Sequence, residues 1–137
     1  MGGEVTGMAR ILAVDPGDVR IGLAISDPSG VIARPLKVIR HQSRQKDVER
    51  ILHEAERECA DIILVGVALD FEGREGPQAR KAIRLVRALQ EQTKKAIITR
   101  DESGSSQRAR ALKKKDSMLD AHAAAFLLQE YLDESQA

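Results

Sequence analysis

The spacing of hydrophobic residues changes along the chain, and this change predicts the secondary structure. Three short strands come first, at Ile11–Val14, Arg20–Ser26 and roughly Val31–Arg40. Turn segments rich in Asp, Pro and Gly separate them, which is typical of an antiparallel meander. Pro35 lies inside the third strand, and because proline cannot donate to a sheet ladder, it predicts an edge strand or a bulge there.

The rest of the chain alternates helical and strand patterns. Apolar residues recur at helical spacing over 45–59, with Ser43 as a candidate N-cap, and again over 79–93. Between and after these helices, the apolar runs 61–67 and 96–99 predict two parallel strands. A short helix is expected from Ser105 or Ser106 to Leu112, followed by a last helix over about 117–132. The inward face of that last helix is predicted to comprise Met118, Leu119, Ala123, Phe126, Leu127 and Leu132.

The predicted element order is β-β-β-α-β-α-β-α-α, which defines an α/β fold. A three-stranded antiparallel meander extended by two parallel strands gives one five-stranded mixed sheet, with helices on both faces. A chain of 137 residues suits a single core, so we predict one domain over residues 9–134. Residues 1–8 are expected to form a disordered N-terminal extension.

Composition narrows the classes of function. Aromatic residues make up only 2% of the chain, so there is no aromatic platform on which unpaired bases could stack. The net charge is +1, and contact with phosphate must therefore come from a local patch of cations. Cys59 is the single cysteine, which excludes an internal disulfide and favours a reducing, cytoplasmic compartment. No apolar run approaches the roughly 20 residues of a membrane helix, so no membrane association is expected.

Acidic side chains lie at or beyond the ends of several predicted elements. Asp15 follows the first strand, Asp70 the fourth and Glu102 the fifth, while Asp120 opens the last helix. Ligands of open α/β sheets bind at the carboxyl ends of the strands, and carboxylates there suit Mg²⁺ or Mn²⁺. Two such ions can activate water and stabilise the leaving oxygen of a phosphodiester. Each acid also has a purely structural interpretation, as a turn former, a loop acid or a partner of the helix dipole.

Four motifs resemble those of the YqgF (RuvX) family of bacterial Holliday-junction resolvases. The first is the most specific, an Asp-Pro-Gly-x-x-Arg-Ile-Gly pattern within Val14–Asp27. The others are Val65-Gly66 with Gly73 and Glu75-Gly76-Pro77, then Asp101-Glu102 with Ser105-Ser106, and finally Asp120-Ala121-x-Ala123-Ala124. The resemblance covers nearly the whole chain, from about residue 10 to residue 133.

This resemblance implies an RNase H-like fold and metal-dependent cleavage of nucleic acid. The substrate would be either the 5′ end of precursor 16S ribosomal RNA or a branched DNA junction. By position, Asp15, Glu102 and Asp120 match the family's acidic triad, as catalytic residues and as ligands of Mg²⁺ or Mn²⁺. The family usually carries Asn at the position of Asp70, so this acid is either a fourth metal ligand or a neutral change in a polar loop.

The remaining candidates are expected to contact the substrate. They are Arg20, Arg74, Ser105, Ser106, Lys113, Lys114 and Lys115. The lysine run could equally be an ordinary solvated surface. A homodimer would suit symmetric cutting of a junction, although the sequence leaves the oligomeric state open. Two other functions stay open: a non-catalytic module that binds RNA or a ribosome-maturation partner, and an actin-like ATPase, which would need a second domain.

Overall fold

The computed structural model describes residues 9–70, 72–102 and 118–135. Five strands, β1 to β5, span Ile11–Pro16, Arg20–Ser26, Ala33–Arg40, Ile62–Val67 and Ala96–Asp101. Three helices, α1 to α3, span Arg44–Arg57, Pro77–Gln92 and Leu119–Ser135. This is the predicted order of elements. The short helix expected after Ser105 or Ser106, and the extension 1–8, lie outside the described residues.

The strands form one sheet in the order β3-β2-β1-β4-β5. Pairing is antiparallel between β1 and β2 and between β2 and β3, and parallel between β1 and β4 and between β4 and β5. The predicted mixed sheet is therefore confirmed. Pro35 lies on the edge strand β3, where the register steps from Leu23↔Lys37 to Ala24↔Pro35, which confirms both features that proline predicted.

Helices cover both faces of the sheet, as predicted. Alternate residues of β1 point to opposite faces, so Leu12 and Val14 pack in a core with α1 and α2. Ile11 and Ala13 pack in a second core beneath α3. Each face thus has its own aliphatic core. None of the described helices is long and apolar enough to cross a membrane.

Helix α1 is capped at both ends. The Ser43 hydroxyl accepts the Lys46 N–H at 3.1 Å, which confirms the predicted N-cap. At the other end, Cys59 takes a left-handed conformation (φ 56°), and the N–H of Ala60 donates to the carbonyl of Ala55 at 2.9 Å. This is the Schellman arrangement, which stops the helix and turns the chain towards β4.

Helix α3 corrects the inward face that we predicted for it. The buried residues are Ala121, Ala124, Leu127, Leu128 and Leu132. Phe126 is instead 41% exposed, so its predicted inward position is wrong. Small residues occupy the start of the buried face, because there the helix backbone packs directly against β2.

The turn between β2 and β3 carries a pH-dependent contact. Hydrogen bonds from the Ser29 hydroxyl and the Ile32 backbone lower the pKa of Asp27 to about 2. A carboxyl with a depressed pKa adds stability above its unfolded value of about 3.9, and that stability is lost as the pH falls towards 2. We expect a carboxyl-carbon NMR titration of Asp27 to give a midpoint near 2. Ser29→Ala should raise this midpoint, and an unshifted midpoint in that variant would contradict the assigned cause.

Candidate active site

Asp15 lies near the end of the central strand β1 and is almost fully buried, with 1% of its surface exposed. Strand alternation places its side chain on the same face as Ile11 and Ala13, the face that α3 covers. A carboxylate in this position is enclosed by the sheet and the helix. Any ligand that it binds must therefore approach from the carboxyl end of β1.

Two glycines flank Asp15 on the neighbouring strands. Gly22 of β2 is its antiparallel partner, and Gly66 of β4 follows Val65, the parallel partner of Val14. A Cβ atom on Gly22 would lie 1.9 Å from the backbone oxygen of Asp120. A Cβ on Gly66 would lie 2.8 Å from the Glu102 carboxyl group. The missing side chains therefore make room for the start of α3 and for the Glu102 side chain.

Glu102 extends β5 by one residue, since its N–H donates to the Val67 carbonyl at 3.1 Å. Only 5% of its surface is exposed. Ile98 of β5 packs in the core under α3, and strand alternation puts Glu102 on that same face. Glu102 lies over Gly66, and Gly66 lies beside Asp15 in the sheet, so the two acids are at the same height along the strands.

Asp120 is the second residue of α3, and its carboxylate accepts a hydrogen bond from Arg20 Nε at 3.1 Å. Its backbone packs on Gly22, which is the partner of Asp15. The structure thus places Asp15, Glu102 and Asp120 at one end of the sheet on one face. We call these three residues the acidic site.

The acidic site has the donor chemistry that Mg²⁺ or Mn²⁺ requires, since all its side-chain donors are carboxylate oxygens. The space over Gly66 is filled by a carboxyl group, which further fits a binding role for Glu102. Within residues 9–70, 72–102 and 118–135, however, no three acidic, His or Cys side chains lie close enough together to hold a metal ion. The carboxylate of Asp120 is instead paired with Arg20. The metal-ligand assignment therefore stays a prediction.

Asp70 organises the loop between β4 and α2. One of its carboxylate oxygens accepts the backbone N–H groups of Glu72 and Arg74, at 2.9 and 2.8 Å. This observation supports the structural interpretation of Asp70, and metal binding by its second oxygen stays a prediction. Arg74 is exposed and forms an ion pair with Glu72. The candidates Ser105, Ser106, Lys113, Lys114 and Lys115 lie outside the described residues.

The ion pair that ties α3 to β5 had no signal in the sequence. Both terminal nitrogens of Arg100 bind the Glu134 carboxylate. This hydrogen bonding raises the pKa of Arg100 and lowers that of Glu134. The roles of Gly22 and Gly66 were also missed, although a glycine inside a strand pattern is a known signal of a close approach.

Solved structures with the same fold are junction resolvases. Thermus thermophilus RuvC in complex with a Holliday junction substrate superposes with a TM-score of 0.61 at 14% identity, over 94% of this chain and 96% of that chain. The fowlpox virus Holliday junction resolvase superposes with a TM-score of 0.56 at 18% identity, over 91% of this chain and 99% of that chain. The fold is therefore RNase H-like, as predicted.

Sequence comparison identifies the family. A profile of the RuvX family, described as Holliday junction resolvase, matches residues 9–134. A protein of Thermoanaerobacter pseudethanolicus named "Putative pre-16S rRNA nuclease" is 37% identical over 133 residues, 90% of this chain and 96% of that protein. A Synechococcus protein of the same name is 36% identical over 92% of this chain and 79% of its own length. The chain belongs to the RuvX family, and it is a nuclease, a hydrolase of ester bonds.

Proposed function

We propose that this chain hydrolyses phosphodiester bonds of nucleic acid at the acidic site, with Mg²⁺ or Mn²⁺ as its cofactor. The observation that carries the proposal is the arrangement of Asp15 between two glycines, with the Glu102 carboxyl group and the Asp120 backbone filling the space that these glycines leave. These three acids come from separate elements at the end of the sheet where α/β proteins bind ligands.

In this proposal the three acids would bind the metal from different sides. Asp15 and Glu102 would hold the metal from within the buried floor of the site, where surrounding aliphatic residues restrict water. Asp120 would bind it from the more exposed helix side. Bound Mg²⁺ or Mn²⁺ supplies activation of the attacking water and charge stabilisation at the phosphate. Arg20, with 54% of its side chain exposed, would contact the substrate phosphate from the rim of the site.

The preferred substrate in this proposal is the 5′ end of precursor 16S ribosomal RNA. The support is the name shared by relatives that match over nearly the whole chain at 37% and 36% identity. This substrate would place the protein in the cytoplasm. A four-way DNA junction is the second candidate, favoured by the description of the family and by the Holliday junction substrate of the RuvC complex. For that substrate, a two-fold homodimer would present one acidic site to each strand to be cut.

Removing metal provides the direct test. Protein stripped with a chelator should cleave neither a 16S rRNA precursor nor a four-way junction, and added Mg²⁺ or Mn²⁺ should restore cleavage of one of them. Mapping the products identifies the substrate. Calorimetric titration with Mn²⁺ provides a measurement of metal binding that does not depend on cleavage. RNA binding without cleavage of either substrate, at any metal concentration, would instead favour the non-catalytic module.

A further inference from the structure

A cleft of about 240 Å³ opens on the face of the sheet that α1 and α2 cover, opposite the face of the acidic site. It lies between the first turns of α1 and α2 and the turn that joins β1 to β2. Ile21, Ala82 and Leu85 are buried apolar residues in its lining. Three cations line it as well: Arg44 from α1, and Lys81 and Arg84 from α2. The cleft thus combines an apolar lining with cations from two helices.

The two acids in this cleft already have partners. Lys81 Nζ lies 2.8 Å from Asp18, and this hydrogen bond lowers the pKa of Asp18, which keeps the pair charged at neutral pH. Asp47 is 3% exposed; one of its oxygens contacts the His41 ring and the other accepts the Gln42 N–H at 3.1 Å.

The two arginines of the cleft are not neutralised in this way. In the described part of the chain, neither Arg44 nor Arg84 has an ion pair or a side-chain hydrogen bond to another residue. Both are exposed. Among the described residues, two guanidinium groups without an acidic partner therefore face a cleft whose carboxylates are already bound to other residues.

The position of the cleft relates it to the acidic site. Pro16, Gly17 and Asp18 line the cleft, and they directly follow Asp15 along the chain. The turn between β1 and β2 thus has the acidic site on one side and the cleft on the other. A nucleic-acid strand with its scissile phosphate at Asp15 could cross this turn and reach the arginines.

We infer that this cleft is a phosphate subsite, in which Arg44 and Arg84 bind a backbone phosphate of the strand that is cut at the acidic site. This inference rests on the proposed function. Guanidinium groups match the oxygens of phosphate in a bidentate geometry, and the apolar floor strengthens such contacts because it limits competing water. Gln78, which also lines the cleft, can donate a further hydrogen bond.

The test compares two double variants in an Asp15→Asn background, where binding is measured without cleavage. Arg44→Gln with Arg84→Gln removes the cleft cations. Arg50→Gln with Arg87→Gln removes two arginines that are also exposed, on the same two helices but outside the cleft. For RNA and DNA oligonucleotides, the cleft variant should bind at least about tenfold more weakly whatever the sequence. Its plot of log affinity against log salt should be flatter by about 1 to 2 units, as expected for one or two lost phosphate contacts.

An equal loss in the control variant would indicate general charge attraction and overturn the inference. A second measurement uses unmodified protein: inorganic phosphate should shift the amide NMR signals of Ser43, Arg44, Gln78 and Lys81 before those of other residues. Phosphate shifts combined with unchanged oligonucleotide binding in the cleft variant would identify a site for small phosphate compounds and also overturn it. Failure of the proposed function is distinguishable, because wild-type protein would then not cleave.

Discussion

Asp15→Asn should lower the rate of nucleic-acid cleavage by roughly a thousandfold or more at saturating metal. Asparagine has the same shape but lacks the negative charge that would hold a divalent ion, and metal-based charge stabilisation contributes several kcal/mol to the barrier. Because Asp15 is only 1% exposed, its negative charge is costly to bury, and an acid that serves catalysis would be kept at the expense of stability. We therefore expect the melting temperature of the variant to be unchanged or higher.

The matched control for this experiment is Asp133→Asn. It removes one negative charge from an exposed position near the end of α3, away from the acidic site. Cleavage by this variant should equal that of the wild type, and Mn²⁺ binding should fall only in Asp15→Asn. Cleavage that survives Asp15→Asn would show that the acidic site is not where the reaction takes place. Cleavage lost with unchanged Mn²⁺ affinity would assign Asp15 a role other than metal binding.

Gly22→Ala should destabilise the protein by about 3 kcal/mol, which corresponds to a fall in melting temperature of roughly 10 °C. The added methyl group would lie 1.9 Å from the Asp120 oxygen and 2.8 Å from the Ala121 nitrogen. Both are backbone atoms, so α3 itself must move away from β2. Because Asp120 moves with the helix, cleavage should fall as well.

Gly66→Ala is the variant to compare with Gly22→Ala. Its methyl group would meet the Glu102 carboxyl group at 2.8 Å, which is the movable end of a side chain, and Leu127 at 3.0 Å. We expect a smaller loss of stability than for Gly22→Ala but a comparable loss of cleavage, because Glu102 is displaced from its position beside Asp15.

Equal melting temperatures for Gly22→Ala and wild type would contradict the close contact between α3 and β2.

The sequence was sufficient to predict the sheet and the helices, because strands and helices each follow from a regular spacing of apolar residues along the chain. Alternation and apolar runs predicted the five strands, and Pro35 marked the edge strand because it cannot donate to a ladder. The acids at strand ends were also foreseeable, since parallel strands deliver their carboxyl ends to a common edge. The orientation of α3 was not foreseeable, because apolar residues lie around much of this helix and their spacing does not single out one face.

By itself, then, the sequence determined the order of elements, the mixed sheet and Asp15 as the acid at the end of the first strand. Only the tertiary structure decided what surrounds that acid. Gly22 meets Asp120, and Arg20 pairs with Asp120, across about 100 residues of chain. The cleft with Arg44 and Arg84 likewise joins two helices and a turn. Contacts between distant segments depend on how the helices pack against the sheet. The local spacing of apolar residues does not specify that packing.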